Sequence, residues 1–242
     1  MIVIPMAGLS SRFFKAGYKE PKYMLEAKGI TVFEHAVKSF ERYFKSEPFL
    51  FIVRDVFDTP KFVSEKAKSL GIKTCHVVAL ESETRGQAET VFQGLKGCSD
   101  AAEPITIFNI DTFRPGFEFP AALLPSKDSY LEVFQGSGDN WSFVLPKCNA
   151  STEVTETAEK RPISDLCCTG LYHFASTADF LEAYNFYLER EGLWEKGELY
   201  VAPLYNYLIQ QGKSVHYHLI PREDVIFCGV PDEYEAFKTI NA

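Results

Sequence analysis

Over the first 110 residues, short apolar runs alternate with longer amphipathic stretches. Residues 2–6 are uninterruptedly apolar, the pattern of a strand buried on both faces. Between 32 and 44, Val32, Phe33, Ala36, Val37, Phe40, Tyr43 and Phe44 recur at helical spacing. Further apolar runs predict strands over 49–53, 73–80 and 105–110. Helices are predicted over 62–70, with Gly71 as its C-cap, and over 88–95, with Val91, Phe92 and Leu95 on one face. This βαβαβαβ order implies a mainly parallel sheet covered by helices.

The second half reads differently. Strands are expected over 130–134, 141–145, 152–158 and 166–174, with no helix between them. Helices return over 178–188 and 201–211, followed by a strand at 214–219 and a last helix at 233–240. No repeat, low-complexity tract or linker interrupts the chain. We expect one α/β domain over 1–242, with halves 1–114 and 115–242.

Composition narrows the classes. The 242 residues are 46% hydrophobic and 24% charged, which excludes a disordered, collagen-like or coiled-coil chain. The net charge of −8 excludes a general nucleic-acid binder, which needs a basic excess. The six cysteines form no CxxC pair and hence no zinc-site spacing, so reduced thiols are expected. Cys167 and Cys168 are neighbours in a predicted strand and point to opposite faces. No run approaches the roughly 18 apolar residues of a membrane span, and the apolar start lacks the charged leader of a signal peptide. A cytoplasmic protein without a membrane partner is expected.

In α/β sheets, ligands sit at the carboxyl ends of the strands. The loop after the first strand reads Ala7-Gly8-Leu9-Ser10-Ser11-Arg12-Phe13, followed by Pro21-Lys22. Small residues let backbone amides converge on phosphate oxygens, Ser10 and Ser11 add hydroxyls, and Arg12 adds a planar fork of donors. Residues 1–28 hold five basic side chains (Arg12, Lys15, Lys19, Lys22, Lys28) against Glu20 and Glu26, a local excess suited to a small polyanion. The loop is neither GxxxxGK[ST] nor GxGxxG. Asp111 ends the strand predicted over 105–110 and is placed to hold Mg²⁺, which takes one or two carboxylates together with phosphate oxygens. Thr84-Arg85-Gly86-Gln87-Ala88 opens a helix. Gly86 and Ala88 leave room for a flat base, and Gln87 can read a base edge; an ordinary helix start capped by Thr84 accounts for the same residues. His216 and His218 share a strand face but have no third ligand nearby in sequence.

Taken together, these motifs resemble the sugar-phosphate nucleotidyltransferases, a family that also takes in MobA-like and cytidylyltransferase relatives. The loop 8–13 followed by Pro21-Lys22 is similar to that family's GxGxR…PK signature, with Ser10 where many members have a second glycine. Glu159-Lys160-Arg161-Pro162 and the strand Gly170-Leu171-Tyr172-His173-Phe174 are similar to its EKP and GxYxF segments. Residues 198–206 resemble a stretch common in capsule- and lipopolysaccharide-type members. The resemblance implies a three-layer, Rossmann-like, GT-A-like fold with a mixed, mainly parallel central sheet. It implies nucleotide binding by Ala7, Gly8, Ser10, Ser11, Gly86, Gln87 and Ala88, and acceptor binding by Glu159, Gly170 and Glu198. Arg12, Lys22, Asp111 and Lys160 are the expected catalytic residues, with Mg²⁺ (Mn²⁺ as the substitute) on Asp111. The second metal aspartate of many members has no counterpart, because Phe227 stands at its place ahead of Cys228-Gly229.

The implied reaction joins a nucleoside triphosphate to a sugar 1-phosphate or similar phosphorylated acceptor, releasing pyrophosphate, in surface-polysaccharide synthesis. A glycosyltransferase consuming a nucleotide sugar and a catalytically inactive nucleotide-binding homologue are the alternatives. A homo-oligomer is compatible with the sequence.

Overall fold

The computed structural model describes residues 1–97, 100–123 and 128–239. In chain order its strands are β1 (Ile2–Pro5), β2 (Glu26–Ala27), β3 (Ile30–Thr31), β4 (Pro48–Arg54), β5 (Thr74–Leu80), β6 (Ile105–Phe108), β7 (Thr112–Phe113), β8 (Ser129–Gln135), β9 (Ser142–Pro146), β10 (Val154–Glu159), β11 (Leu166–Phe174), β12 (Val215–Ile220) and β13 (Ile226–Phe227). The helices are α1 (Ser11–Lys15), α2 (Val32–Lys38), α3 (Thr59–Leu70), α4 (Gln87–Leu95), α5 (Thr177–Leu188), α6 (Tyr205–Gln210) and α7 (Pro231–Thr239). The class is the expected one, mixed α/β with a central, mostly parallel sheet.

The chain forms two compact units, each assembled from separated stretches. The first holds Ile2–Glu83, Phe108–Glu118 and the chain from Glu223 on; the second holds Met1, Thr84–Ile107 and Phe119–Arg222.

In the first unit, β1, β4 and β5 run parallel in that order, with Ile2 opposite Phe49 and Phe49 opposite Cys75. Phenylalanine fills this core. Phe40 packs on Phe108 at 5.0 Å and on Phe117 at 4.9 Å between ring centroids, and Phe33 on Phe51 at 5.3 Å. Each such buried ring contributes roughly 1.5–3 kcal/mol. Helix α2 starts at a capping box. Thr31 Oγ1 accepts from the Glu34 amide at 3.2 Å, and Glu34 Oε2 accepts from the Thr31 amide at 2.9 Å. α3 ends at Gly71, in the left-handed region at φ 81°, as its glycine predicts.

In the second unit, β10, β9, β11 and β6 are neighbours in that order; β8 pairs with β11, and β12 runs parallel to β8. Helices α4, α5 and α6 belong to this unit. Phe92 of α4 stacks on Tyr184 of α5 at 4.2 Å, and Tyr205 of α6 packs on Phe174 at 4.4 Å. Gly170 sits where the β8–β11 register shifts, at φ 96°. A backbone bulge with φ in this region is one that glycine adopts most easily.

Several boundaries differ from the sequence reading. The helix expected over 32–44 stops at Lys38. Ser39 Oγ there accepts from the Arg114 amide at 2.8 Å, and a 3-10 turn over Glu41–Tyr43 follows. The helix expected over 201–211 begins as a 3-10 turn around Pro203 and becomes α-helical only at Tyr205. The strand expected over 105–110 ends at Phe108, which leaves Asn109 to Asp111 in the following turn. Cys98 and the last residue of the predicted helix over 233–240 lie outside the described residues. The remaining cysteines are unbridged. Among the described residues, no helix is long and apolar enough to cross a membrane.

Candidate functional site

The glycine loop and Asp111 meet within the first unit. Strand β1 is buried throughout and delivers the loop at its carboxyl end. Ser10 precedes α1 with φ 51° and ψ 28°, the left-handed conformation that glycine takes most easily. This is the physical reason for the glycine usual at that place, and here the serine side chain brings a bond of its own. Ser10 Oγ accepts from the Lys22 amide at 3.2 Å. Pro21 leads into a short 3-10 turn, Lys22–Met24, and the Lys22 ammonium hydrogen-bonds Asp111 Oδ2, a partner 89 positions away. The two side chains are 20% and 22% exposed, so the pair is open to solvent and to a ligand.

Asp111 is fixed from the other side by the end of the chain. β7 pairs antiparallel with β13, Thr112 opposite Phe227, and the Cys228 amide donates to the Asp111 carbonyl at 2.7 Å. The Cys228 thiol is pushed up to about 12, first by burial and then by the charges of Asp111 and Glu233. It is held as a neutral packing group. Arg12 and Ser11 are exposed, and the Arg12 guanidinium has no hydrogen bond or ion pair among the described residues. Gly8 is exposed too, and a β-carbon there would meet nothing within 4 Å. Ala7 is buried at the strand end.

The expected acceptor and base residues fall in the second unit. Glu159 ends β10 at 8% exposure, and its Oε2 accepts from Ser142 Oγ. Burial raises the Glu159 carboxyl; the Ser142 bond and Lys160 oppose the rise, while Glu195 and Glu198 add to it. Lys160 adopts φ 52°, donates to the Tyr200 hydroxyl and lies 3.9 Å from Glu159 Oε1. Tyr200 is held well above the usual phenol range by burial and by its hydrogen bond to Glu198. Lys160 is therefore a cation among three carboxylates and a phenol, anchored at the base of its side chain by its own amide, which donates to Trp141 O at 2.8 Å.

Gly86, Gln87 and Ala88 lie against the segment that carries Glu198. The Leu199 amide donates to Arg85 O at 2.8 Å, and the Ala88 amide donates to Leu199 O at 3.0 Å. Gly86 has φ 140° and is itself the N-cap of α4; Thr84, expected to cap that helix, instead hydrogen-bonds Thr90 Oγ1 at 2.6 Å. A β-carbon on Gly86 would stand 2.5 Å from Leu199 O. The expected residues thus gather as Lys22 with Asp111, Glu159 with Lys160, and Gly86–Ala88 with the Glu198 segment. The sequence reading overlooked Ser142 and Tyr200, whose hydroxyls are revealed only by strand pairing and by the turn at Lys160. His216 bonds Thr152 Oγ1 at 3.0 Å and lies 3.5 Å from Asp128, and no group of three or more metal-ligating side chains is assembled among the described residues.

Comparison with known proteins places this geometry. No protein-family model matches the chain, and no curated protein matches it. Among solved structures, the nucleoside-diphosphate-sugar pyrophosphorylase from Vibrio cholerae RC9 is 63% identical, with a TM-score of 0.95 over 98% of this chain and 99% of that one. The chain belongs to the nucleoside-diphosphate-sugar pyrophosphorylase family. Its fold extends to more distant structures. A UDP-glucose pyrophosphorylase complexed with UDP-glucose matches at 13% identity and TM-score 0.75, over 98% of this chain and 96% of that one. The inositol-1-phosphate CTP transferase from T. maritima matches at 15% identity and TM-score 0.70, over 98% and 92%. At such identities the likeness is one of fold. In this family member, the loop, Lys22 and Asp111 lie at the carboxyl end of a buried parallel strand, where α/β sheets bind ligands.

Proposed function

We propose that the chain is a nucleotidyltransferase that joins a nucleoside triphosphate to a sugar 1-phosphate or a similar small phosphorylated acceptor. An acceptor phosphate oxygen attacks the α-phosphorus in line; the bond to the bridging oxygen breaks and its electron pair leaves with pyrophosphate. The attacking group is already an anion, so no strong general base is needed, and catalysis reduces to positioning and charge neutralisation. The observation that carries this reading is the Lys22–Asp111 pair beside the Ser10 loop: a mobile cation for phosphate and a carboxylate for a divalent cation, held together by the backbone.

In this reading the loop amides from Ala7 to Ser11 and the Arg12 guanidinium bind the β- and γ-phosphates. Gly8 leaves the space they occupy. Lys22 turns from Asp111 to the α-phosphate when the triphosphate arrives. Gly86, Gln87 and Ala88 lie along the base. Lys160 holds the acceptor phosphate against the repulsion between two anions, and Glu159 and Glu198 take acceptor hydroxyls. Asp111 suits Mg²⁺ or Mn²⁺, since such an ion takes one or two carboxylates and fills its other positions with phosphate oxygens and water. When bound, the ion supplies charge neutralisation at the phosphates. A cytoplasmic enzyme supplying activated sugars to surface-polysaccharide synthesis fits this chemistry.

The test is pyrophosphate release in Mg²⁺ with CTP, UTP, dTTP, GTP and ATP in turn, each against pooled sugar 1-phosphates and other small phosphate esters. Acceptor-dependent pyrophosphate from one triphosphate is expected. Consumption of a nucleotide sugar without pyrophosphate chemistry would overturn the reading in favour of a glycosyltransferase.

A further inference from the structure

The turn that carries Lys22 has no cap of its own. Lys22 is the first residue of the 3-10 turn Lys22–Met24, and the leading amides of a helical turn have no partner within it. Pro21, which precedes it, has no side-chain oxygen to offer. The Met24 amide is served locally, by Pro21 O at 2.9 Å. The Lys22 amide is served from outside, by Ser10 Oγ at 3.2 Å, 12 positions back in the glycine loop.

Ser10 is therefore a junction. Its carbonyl accepts from the Phe13 amide at 2.9 Å and the Phe14 amide at 3.1 Å, which starts α1, while its side chain makes no cap bond to that helix. The hydroxyl is left to Lys22. The turn is tied elsewhere to α3, since Tyr23 is buried and its hydroxyl hydrogen-bonds Thr59 Oγ1 at 2.9 Å. Among the described residues, the Ser10–Lys22 bond is the one hydrogen bond that joins the turn to the glycine loop. Stability does not account for a serine here. A residue other than glycine at φ 51° and ψ 28° is strained, and a single half-exposed hydrogen bond of ordinary strength at best offsets that strain. Glycine would hold the same backbone freely. What the serine adds is a fixed distance between the loop amides and the root of the Lys22 side chain.

We propose that Ser10 is a positioning residue for Lys22. Its hydroxyl caps the Lys22–Met24 turn and keeps the root of the Lys22 side chain in register with the loop amides, so that the ammonium reaches the α-phosphate from a preset place. Charge stabilisation in a transition state depends on groups already oriented when the reaction occurs, so slack at that root lowers kcat rather than triphosphate binding. The inference rests on the reading of Lys22 as the α-phosphate residue.

Ser10→Gly and Ser10→Ala both remove the hydroxyl but part in stability, because glycine relieves the left-handed strain and alanine keeps it. The full chain is followed by urea unfolding, by amide hydrogen exchange of Lys22 and Met24 in nuclear magnetic resonance spectra without nucleotide, and by pyrophosphate release in Mg²⁺. Expected in both variants are Lys22 exchange about fivefold faster with Met24 unchanged, kcat about fivefold lower, and KM for the triphosphate within about twofold of wild type. Ser10→Gly should be the more stable of the two and no more active. A kcat that follows stability, with Ser10→Gly at or above wild type, overturns the inference and leaves the serine a turn residue only. Wild-type Lys22 exchange in both variants, or faster exchange with unchanged kcat, also overturns it. A raised KM for the triphosphate with kcat retained overturns it as well, by making the hydroxyl a phosphate ligand. In each of these cases Lys22 keeps its role. An unchanged kcat in Lys22→Ala, or no pyrophosphate from the wild type with any triphosphate, removes the reading of Lys22 and this inference with it.

Discussion

Replacing Gly86 by alanine tests how tightly the Gly86–Ala88 segment is built into its unit. At φ 140° and ψ 177°, Gly86 occupies a region of backbone space that is essentially reserved for glycine. Forcing a side chain there costs roughly 1–3 kcal/mol before any contact is considered. The added carbon would also stand 2.5 Å from Leu199 O and 2.7 Å from Leu199 N, so the backbone on one side or the other must move. That movement breaks or lengthens the two bonds joining Arg85 and Ala88 to Leu199, each worth about 1 kcal/mol net. The expected destabilisation is about 3–5 kcal/mol, a large part of a typical domain's stability. Urea unfolding followed by tryptophan fluorescence reads it, because the Trp194 ring centroid lies 5.3 Å from the guanidinium of Arg85, the residue before Gly86. Gly8→Ala is the control. No atom stands within 4 Å of the added carbon, so stability should stay within about 0.5 kcal/mol of wild type. A Gly86→Ala protein as stable as Gly8→Ala would refute the claim that this segment is clamped.

Asp111→Asn should leave stability within about 1 kcal/mol, since it breaks a solvent-open ion pair, while kcat falls by roughly 10²-fold or more; parallel urea and pyrophosphate assays check both. Lys160→Met should raise KM for the acceptor and leave KM for the triphosphate near its wild-type value, and the reverse split would assign Lys160 to the nucleotide. Glu159→Gln should stabilise the free protein increasingly as pH rises above 4.5. Burial raises the folded-state carboxyl above its unfolded value of 4.5, so the cost of ionising it grows as pH rises through the folded-state value; melting curves at stepped pH that stay parallel would contradict this. His173 runs the other way. Burial lowers it from 6.5 to about 4, so stability is lost as pH falls through that window, by about 3 kcal/mol in all. Urea titrations at pH 7 and pH 4 should show the loss, and a His173→Gln protein with the same acid slope would place its origin elsewhere.

Much of the fold was legible because its elements are long enough to show a period. β1 and the interior of β4 are continuous apolar runs, α3 carries its stripe to a glycine stop, and β11 is mostly apolar. The pieces that build the site are too short for that. β7 and β13 have two residues each, and no pattern of two residues marks a strand, yet their pairing is what brings Cys228 onto Asp111. Lys22 and Asp111 could each be named from the sequence as carriers of chemistry, but nothing local says that they touch across 89 positions. Ser10 reads in the sequence as a departure from a glycine pattern; the backbone shows the left-handed turn that glycine would serve and the hydroxyl bond that takes its place. Gly170 carries a backbone demand that the sequence does not show, a register shift at φ 96° that glycine meets most easily.

The chain from Glu223 on joins residues near the start rather than the stretch just before it. During synthesis, Lys22 and Asp111 therefore emerge from the ribosome long before the strand that pins Asp111. The second unit, complete at Arg222, can finish folding first. The Lys22–Asp111 pair is pinned only once residues 226–228 have appeared, so a chain stalled short of them would carry an ordered second unit and an unanchored Asp111. Protease sensitivity of residues 108–118 in nascent chains arrested before and after residue 230 would make that order visible.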